Sequence, residues 1–315
     1  MEKIRLGISS CLLGNKVRYD CGHKLDRFLT DTLGKYVEYV PVCPEVECGL
    51  DIPRKSMRLE GNPASPRLIV TTTREDMTQR LVTWAQKRVV QLEKEDIYGF
   101  IFKSDSPSSG MERVKIYNEK SMPVKAGSGI FARIFMENFP LLPVEDEGRL
   151  HDPSLRENFI ERIFALKRWR EASSSKNIKK SLIDFHTKHK LLILAHSPKH
   201  YQLMGKLVAA QNSLSGQDVS KQYQDLLLES LKIMATPKKH VNVLQHMMGY
   251  FKEKLSADEK KELLELINNY GAGYVPLIVP VTLISHYVRK YNEPYLKEQV
   301  YLNPHPSELQ LRNHV

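Results

Sequence analysis

The chain has 315 residues, 41% hydrophobic and 27% charged, with four cysteines and a net charge of +10. That length suggests about two domains, and the composition is ordinary for a folded globular protein, which argues against a disulfide scaffold. The opening residues lack the pattern of a secretory signal, and the longest apolar run, residues 274–284, is too short for a membrane span and contains Pro276 and Pro280.

In chain order, residues 3–9, 37–42, 67–71 and 97–102 are short β-branched runs that predict buried strands. Between the last two, residues 76–92 repeat Leu81, Val82, Ala85, Val89 and Leu92 at helical spacing. A second helix is expected after Gly127-Ser128-Gly129, through Phe131, Phe135 and Met136. Strands alternating with helices predict a Rossmann-like, mainly parallel α/β sheet. The acidic stretch Glu145-Asp146-Glu147-Gly148 reads as a boundary, giving an α/β domain over 1–148 and an all-α domain over 149–315. Asp152-Pro153 is a helix-start signal. Helices are then expected at 158–172, 178–196, 201–211, 220–235, 240–255 and 258–270.

The charge is uneven. Residues 1–150 carry 23 Lys/Arg against 21 Asp/Glu, and the rest carry 24 against 16. A basic surplus in the second half suggests a polyanionic partner, and a lysine-rich solvated face is the plain alternative.

All four cysteines, Cys11, Cys21, Cys43 and Cys48, fall within the first fifty residues. Reduced thiols, available to a metal or to catalysis, suit the cytoplasm, which is the expected location. Thiolate favours zinc, copper(I) or iron–sulfur clusters. Cys43 and Cys48 have a C-x4-C spacing found in some iron–sulfur proteins, while the absence of a paired C-x2-C framework weighs against structural zinc. Cys21 and Cys48 are alternatively packing or loop residues. In a parallel sheet, ligands bind beyond the carboxyl ends of the strands. Cys11, Cys43 and Ser106 each follow a predicted strand, so one shared rim is expected.

These segments resemble the thiouracil desulfidase family. The matching motifs are Ser9-x-Cys11-Leu12-Leu13-Gly14, Val17-Arg18-Tyr19-Asp20, Gly22-His23-Lys24, Cys43-Pro44-Glu45-Val46, Gly49-Leu50, Pro53-Arg54 and Ser106-Pro107-Ser108-x-Gly110. The second half resembles the helical domain fused to that unit in tRNA 4-thiouridine desulfidases. It matches in Gly148-Arg149-Leu150-x-Asp152-Pro153, Arg156-Glu157-Asn158-Phe159, Asn242-Val243-Leu244-Gln245-His246, Val275 to Pro280, and Tyr301-Leu302-x-Pro304-His305-Pro306.

The resemblance implies a 4Fe–4S cluster held by three cysteines, with one iron open to the soft sulfur of a thiolated pyrimidine. That iron would act as a Lewis acid while water oxygen replaces sulfur at the ring carbon. It implies Cys11 and Cys43 as ligands, Glu45 as the catalytic carboxylate and Ser106 as a polar partner for substrate or proton transfer. The family's third cysteine is replaced here by Ser109. Serine is harder and far less acidic than cysteine, so three accounts stand open. Cys48 takes over as the metal ligand, with Cys21 the less favoured substitute; or Ser109 leaves a labile cluster; or the serine is an engineered or degenerate change. The alternative function is an impaired or non-catalytic RNA-binding homologue.

The implied partner of the helical half is tRNA. Arg162, Lys167, Arg168, Arg170, Lys179, Lys180, Lys188, Lys190, Lys238 and Lys239 are the candidate phosphate contacts. Of these, Arg168, Lys179, Lys180, Lys238 and Lys239 are foremost. Trp169 is a candidate for base stacking or for the core, and His240, Asn242 and His246 for function or helix packing.

Overall fold

A computed structural model describes residues 3–314. The chain forms two compact units that divide after Asp152. The division falls later than residue 148 because Arg149 ties its turn to the first unit, through ion pairs with Glu145 and with Glu112 at 2.8 Å.

In the first unit the strands are β1 (Ile4–Ser9), β2 (Val37–Val42), β3 (Met57–Glu60), β4 (Arg67–Val70), β5 (Phe100–Phe102), β6 (Val114–Tyr117), β7 (Pro123–Gly127) and β8 (Val144–Asp146). Helices α1 (Pro44–Glu47), α2 (Thr78–Lys94) and α3 (Ile130–Asn138) complete it. One sheet is wholly parallel, in the order β2-β1-β5-β8. The second has the order β4-β3-β6-β7 and is mostly antiparallel. Residues 67–70 are thus a strand as expected, but they pair with β3 in this second sheet rather than joining the parallel one. The acidic stretch read as a boundary includes β8, an edge strand in which Glu145 and Asp146 are buried.

The α2 residues Leu81, Ala85, Val89 and Leu92 are buried, as their helical spacing requires, and pack with Phe100, Phe102, Phe131 and Phe135. Register then decides what meets at the sheet edge. Ser9 lies opposite Val42 across β1 and β2, so the residues that follow leave the sheet side by side. The chain runs from β1 to β2 on one side and then crosses to β5 on the other. That reversal opens a crevice at the carboxyl ends of β1 and β5, where α/β sheets bind ligands.

The second unit is helical: α4 (Pro153–Ser173), α5 (Ile178–His196), α6 (Pro198–Ala209), α7 (Gly216–Lys232), α8 (Pro237–Gly249), α9 (Ala257–Gly271), α10 (Ile278–Lys290) and α11 (Pro294–Lys297). Helix α10 was not expected from the sequence. Pro280 lies in its first turn, where a missing N–H breaks no intrahelical bond. Among the described residues, no helix is long and apolar enough to cross a membrane.

Candidate active site

At the carboxyl edge of the parallel sheet is a cleft of about 440 Å³, lined by Cys11, Cys43, Glu45, Arg54, Lys103, Ser106 and Ser109 among others. Cys11 sits in the 3-10 turn after β1, and Cys43 is the N-cap residue of α1 with Pro44 at the first helical position. The two cysteines are 8% and 9% exposed. Burial pushes the Cys11 thiol up to about 11 and the Cys43 thiol up to about 12, with Glu45 adding to both shifts.

Helix α2 fixes the cysteine loop from behind. Arg88 pairs with Glu47 at 3.2 Å, and Glu47 in turn accepts the Cys43 N–H at 2.9 Å. Arg80 donates to the carbonyls of Cys48, at 2.8 Å, and Gly49. Glu45 projects from α1 with three neighbours. Ser108 donates to Oε1, while Oε2 lies 3.5 Å from Cys43 Sγ and 3.8 Å from Arg54. The Arg54 guanidinium is anchored on the Val17 carbonyl at 3.0 Å, and its buried Nε has no hydrogen-bond partner among the described residues.

The loop after β5 supplies the opposite contacts. Ser106 Oγ accepts the Ser109 N–H at 3.1 Å and lies 3.0 Å from Ser108 Oγ. This tight turn requires glycine at 110, since a Cβ there would sit 2.3 Å from Val114 Cγ2 and 2.8 Å from the Ser106 carbonyl. The first turn of α3 then clamps the loop. Ile130 N–H donates to the Pro107 carbonyl at 3.2 Å, and Phe131 N–H donates to that of Ser108 at 2.9 Å. Lys103 is held by Glu147 and by the Ser104 carbonyl, so its charge is matched within the wall.

Cys11, Cys43, Glu45, Ser106 and Ser109 therefore converge, and Ser109, 3% exposed, lines the cleft. Cys48 does not line it: the side chain packs on the hydrophobic core, with Sγ 3.2 Å from the Glu45 carbonyl. The four residues of the helical turn α1 separate Cys48 from Cys43 and carry its side chain away from the cleft lining. Cys21 lies in an exposed turn with φ 58°, also outside the cleft lining. Ser108, Arg54, Lys103 and Glu147 were not singled out from the sequence. Ser108 and Arg54 stood inside quoted motifs, whereas the Lys103–Glu147 pair spans 44 residues and leaves no local signal.

In the second unit, the candidate phosphate contacts separate into two groups. Arg168 is internal, donating to His189 at 3.0 Å and to the Pro304 carbonyl at 2.9 Å, and burial lowers it to about 10. Lys239 donates to the carbonyls of His196, at 2.7 Å, and Met234, at 3.0 Å, satisfying helix-end acceptors. These contacts use Arg168 and Lys239 structurally. Lys180 and Lys238 are exposed and Lys179 is half-buried; among the described residues their side chains have no ion pair. Trp169 is fully buried against Phe185 and Tyr223, so it belongs to the core and not to a stacking surface. His240 is buried against Tyr301 and packs between helices, while Asn242 and His246 are exposed.

Residues 6–147 match the family model of 2-thiouracil desulfurase, and residues 190–306 match that of a protein of unknown function, DUF1722. The chain is 33% identical over 153 residues to the uncharacterized protein YbgA of Escherichia coli (strain K12), covering 48% of this chain and 90% of YbgA. It is 29% identical over 136 residues to the uncharacterized protein YbbK of Bacillus subtilis (strain 168), covering 41% of this chain and 88% of YbbK. Among solved structures it is similar to the 4Fe-4S-dependent thiouracil desulfidase TudS, with 28% identity and a TM-score of 0.39, over 48% of this chain and 95% of that one. The chain belongs to the same family as YbgA, and its residues 6–147 are similar to 2-thiouracil desulfurase.

Proposed function

We propose that the N-terminal unit removes sulfur from a thiolated pyrimidine by hydrolysis, using a 4Fe–4S cluster, and that the C-terminal unit brings the substrate as 4-thiouridine in tRNA. The observation that carries this reading is the convergence of two buried thiols with the Glu45 carboxylate in one open cleft.

The donors facing the cleft suit such a cluster at two positions and offer a harder one at the third. Cys11 and Cys43 would hold it, and the Ser109 hydroxyl is the remaining donor, since Cys48 is turned away. When bound, the cluster would supply an iron that accepts a soft thiocarbonyl sulfur. Because burial raises both thiols, loading must displace a proton from each.

The protein's own part centres on Glu45. The Ser108 hydroxyl and Arg54 fix its orientation, leaving it to take a proton from a water that attacks the ring carbon. The water oxygen stays on carbon and the sulfur leaves as sulfide. Ser106 Oγ is aimed by the Ser109 N–H and presents its own proton toward Ser108 or the substrate. The exposed Lys180 and Lys238 would take phosphates, giving affinity without reading bases.

The test compares the full chain on 4-thiouracil and on tRNA containing 4-thiouridine, following loss of thiocarbonyl absorbance. Turnover of the tRNA at lower substrate concentration, with strong salt dependence, is the expected result. Turnover of the free base with no activity on tRNA would restrict the reading to a small-molecule desulfidase.

Ser109 itself favours a second reading, an RNA-binding chain without desulfidase activity. That reading requires tRNA binding together with failure to acquire iron.

A further inference from the structure

Helix α8 has two unlike faces. His240, Val243, Leu244 and Met247 are buried, whereas Lys238, Asn242, Gln245, His246 and Gly249 recur at helical spacing on the exposed side. A solvated helix face ordinarily carries charges of both signs, as on α9, where Asp258, Lys261, Glu262 and Glu265 are exposed. Between Lys239 and Lys252 the chain has no Asp, Glu, Lys or Arg. The exposed stripe offers neutral amides and an imidazole instead, and the Asn242 and Gln245 side chains make no hydrogen bond among the described residues.

The stripe ends on rings drawn from distant parts of the second unit. His246 stands edge-on to Tyr250, with centroids 5.8 Å apart and planes at 87°. Tyr250 stacks on Tyr295 of α11 at 5.0 Å and 19°, and Lys190 of α5 places Nζ 4.7 Å from the centre of the Tyr295 ring. Rings of the core, such as Trp169, Phe185 and Tyr223, are buried, whereas His246 is exposed and Tyr250 and Tyr295 are half-buried. The surrounding charge is positive: residues 237–254 hold four lysines against one acid, Glu253. Two of the lysines are committed, Lys239 to helix-end carbonyls and Lys254 to Glu293 at 2.8 Å. Lys238 and Lys252 are exposed, have no ion pair among the described residues, and lie one before and one after the stripe in the chain.

We infer that the exposed stripe of α8 and the rings at its end bind an unpaired segment of RNA. A base stacks on His246 and Tyr250, the Asn242 and Gln245 amides meet base edges or ribose hydroxyls, and Lys238 and Lys252 take phosphates. Accessible rings, neutral amides and free cations on one surface are the groups that engage an unstacked nucleotide. A duplex keeps its bases stacked on one another and has no open base face for these rings. The stripe has no exposed apolar anchor of the kind a protein helix would need. The surface rests on the proposal that the C-terminal unit presents tRNA, and it assigns the contact to a loop or single strand.

The test is fluorescence anisotropy of the full chain with labelled oligo(rU), with a blunt RNA duplex of the same length and with tRNA, over a series of salt concentrations. The parent should bind oligo(rU) more tightly than the duplex. His246→Ala, at an exposed position, should weaken binding of oligo(rU) and of tRNA by roughly five- to a hundredfold, the loss expected for one stacked base. The slope of log affinity against log salt should stay unchanged in that variant, whereas Lys252→Glu should lower it by about 1. His246→Tyr keeps a ring without a basic nitrogen and should retain the parent affinity. Tyr250→Leu should match His246→Ala, with thermal unfolding of each variant measured alongside. Equal binding of duplex and oligo(rU) by the parent, or undiminished binding by His246→Ala and folded Tyr250→Leu, would overturn the surface and leave the tRNA proposal standing. A parent that binds oligo(rU) through His246 but ignores tRNA would keep the surface and overturn the tRNA proposal, and a parent that binds no RNA would overturn both.

Discussion

Gly129→Ala puts the smallest possible perturbation behind the active-site loop. Gly129 has an ordinary extended backbone, φ −61° and ψ 151°, so glycine is needed there for space and not for conformation. An added Cβ would lie 2.4 Å from the Ser108 carbonyl carbon, 2.5 Å from its oxygen and 2.7 Å from the Ser109 nitrogen. All three are backbone atoms that no rotamer change can move. Carbon contacts settle at about 3.5 Å, so the loop must retreat by roughly 1 Å. It is held in place by Gly129 N–H on the Gly110 carbonyl at 2.8 Å and by Phe131 N–H on that of Ser108 at 2.9 Å, and the shift strains both bonds. Overpacking of this kind costs about 1–3 kcal/mol of stability. The larger effect is functional, because Ser108 carries the hydroxyl that holds Glu45 and Ser109 lines the cleft. A 1 Å misplacement of reacting groups can cost about a hundredfold in rate. The assay is the initial rate of 4-thiouracil desulfuration, with thermal unfolding on the same samples. Gly249→Ala is the control, since a Cβ there meets nothing within 4 Å. A Gly129→Ala enzyme with the kcat and unfolding temperature of the parent would refute the placement of this loop.

Glu45→Gln keeps the shape and removes the proposed base, so kcat should fall by about 10²–10⁴ while unfolding is nearly unchanged; a fall below tenfold would remove Glu45 from proton transfer. Arg312→Met leaves the buried Glu157 and Glu161 without their cation, at a cost of about 3–5 kcal/mol. For a unit of this size that is a drop of roughly 6–20 °C in unfolding temperature by calorimetry, and an unchanged value would refute the network. Lys180→Glu and Lys238→Glu should each weaken tRNA binding and reduce the slope of log affinity against log salt by about 1, whereas Arg168→Met should act through stability instead.

Much of this architecture is visible locally in the chain, and what is not visible depends on partners far away in sequence. The β-branched run at Val37–Val42 and the apolar stripe of Thr78–Lys94 coincide with a strand and a helix because each buries a face set by its own periodicity. Residues 67–70 show that they are a strand but not which strand they meet, since pairing with Met57–Glu60 is a property of both segments. Strands β3 and β6 have only four residues each, so the alternation of Met57-Arg58-Leu59-Glu60 and of Val114-Lys115-Ile116 is too short to stand out. The stretch 145–148 reads as a boundary because its acids are charged, but Glu145 and Asp146 are buried in a strand that pairs with Ile101 and Phe102, far away in sequence. The site was legible where three strand ends each bore a motif residue. Nearness in sequence made Cys48 a candidate beside Cys43, but the helical turn between them carries its side chain onto the hydrophobic core.

The central claim is that Cys11 and Cys43 hold an iron–sulfur cluster in the cleft beside Ser109. Anaerobic reconstitution followed by iron and sulfide analysis per chain measures this directly, on the parent and on Cys11→Ser, Cys43→Ser, Cys48→Ser and Ser109→Cys. Four iron and four sulfide are expected in the parent and in Cys48→Ser, with loss in Cys11→Ser and Cys43→Ser and slower release to a chelator in Ser109→Cys. A parent chain that takes up no iron, or one whose cluster is lost in Cys48→Ser and kept in Cys11→Ser, would contradict the account.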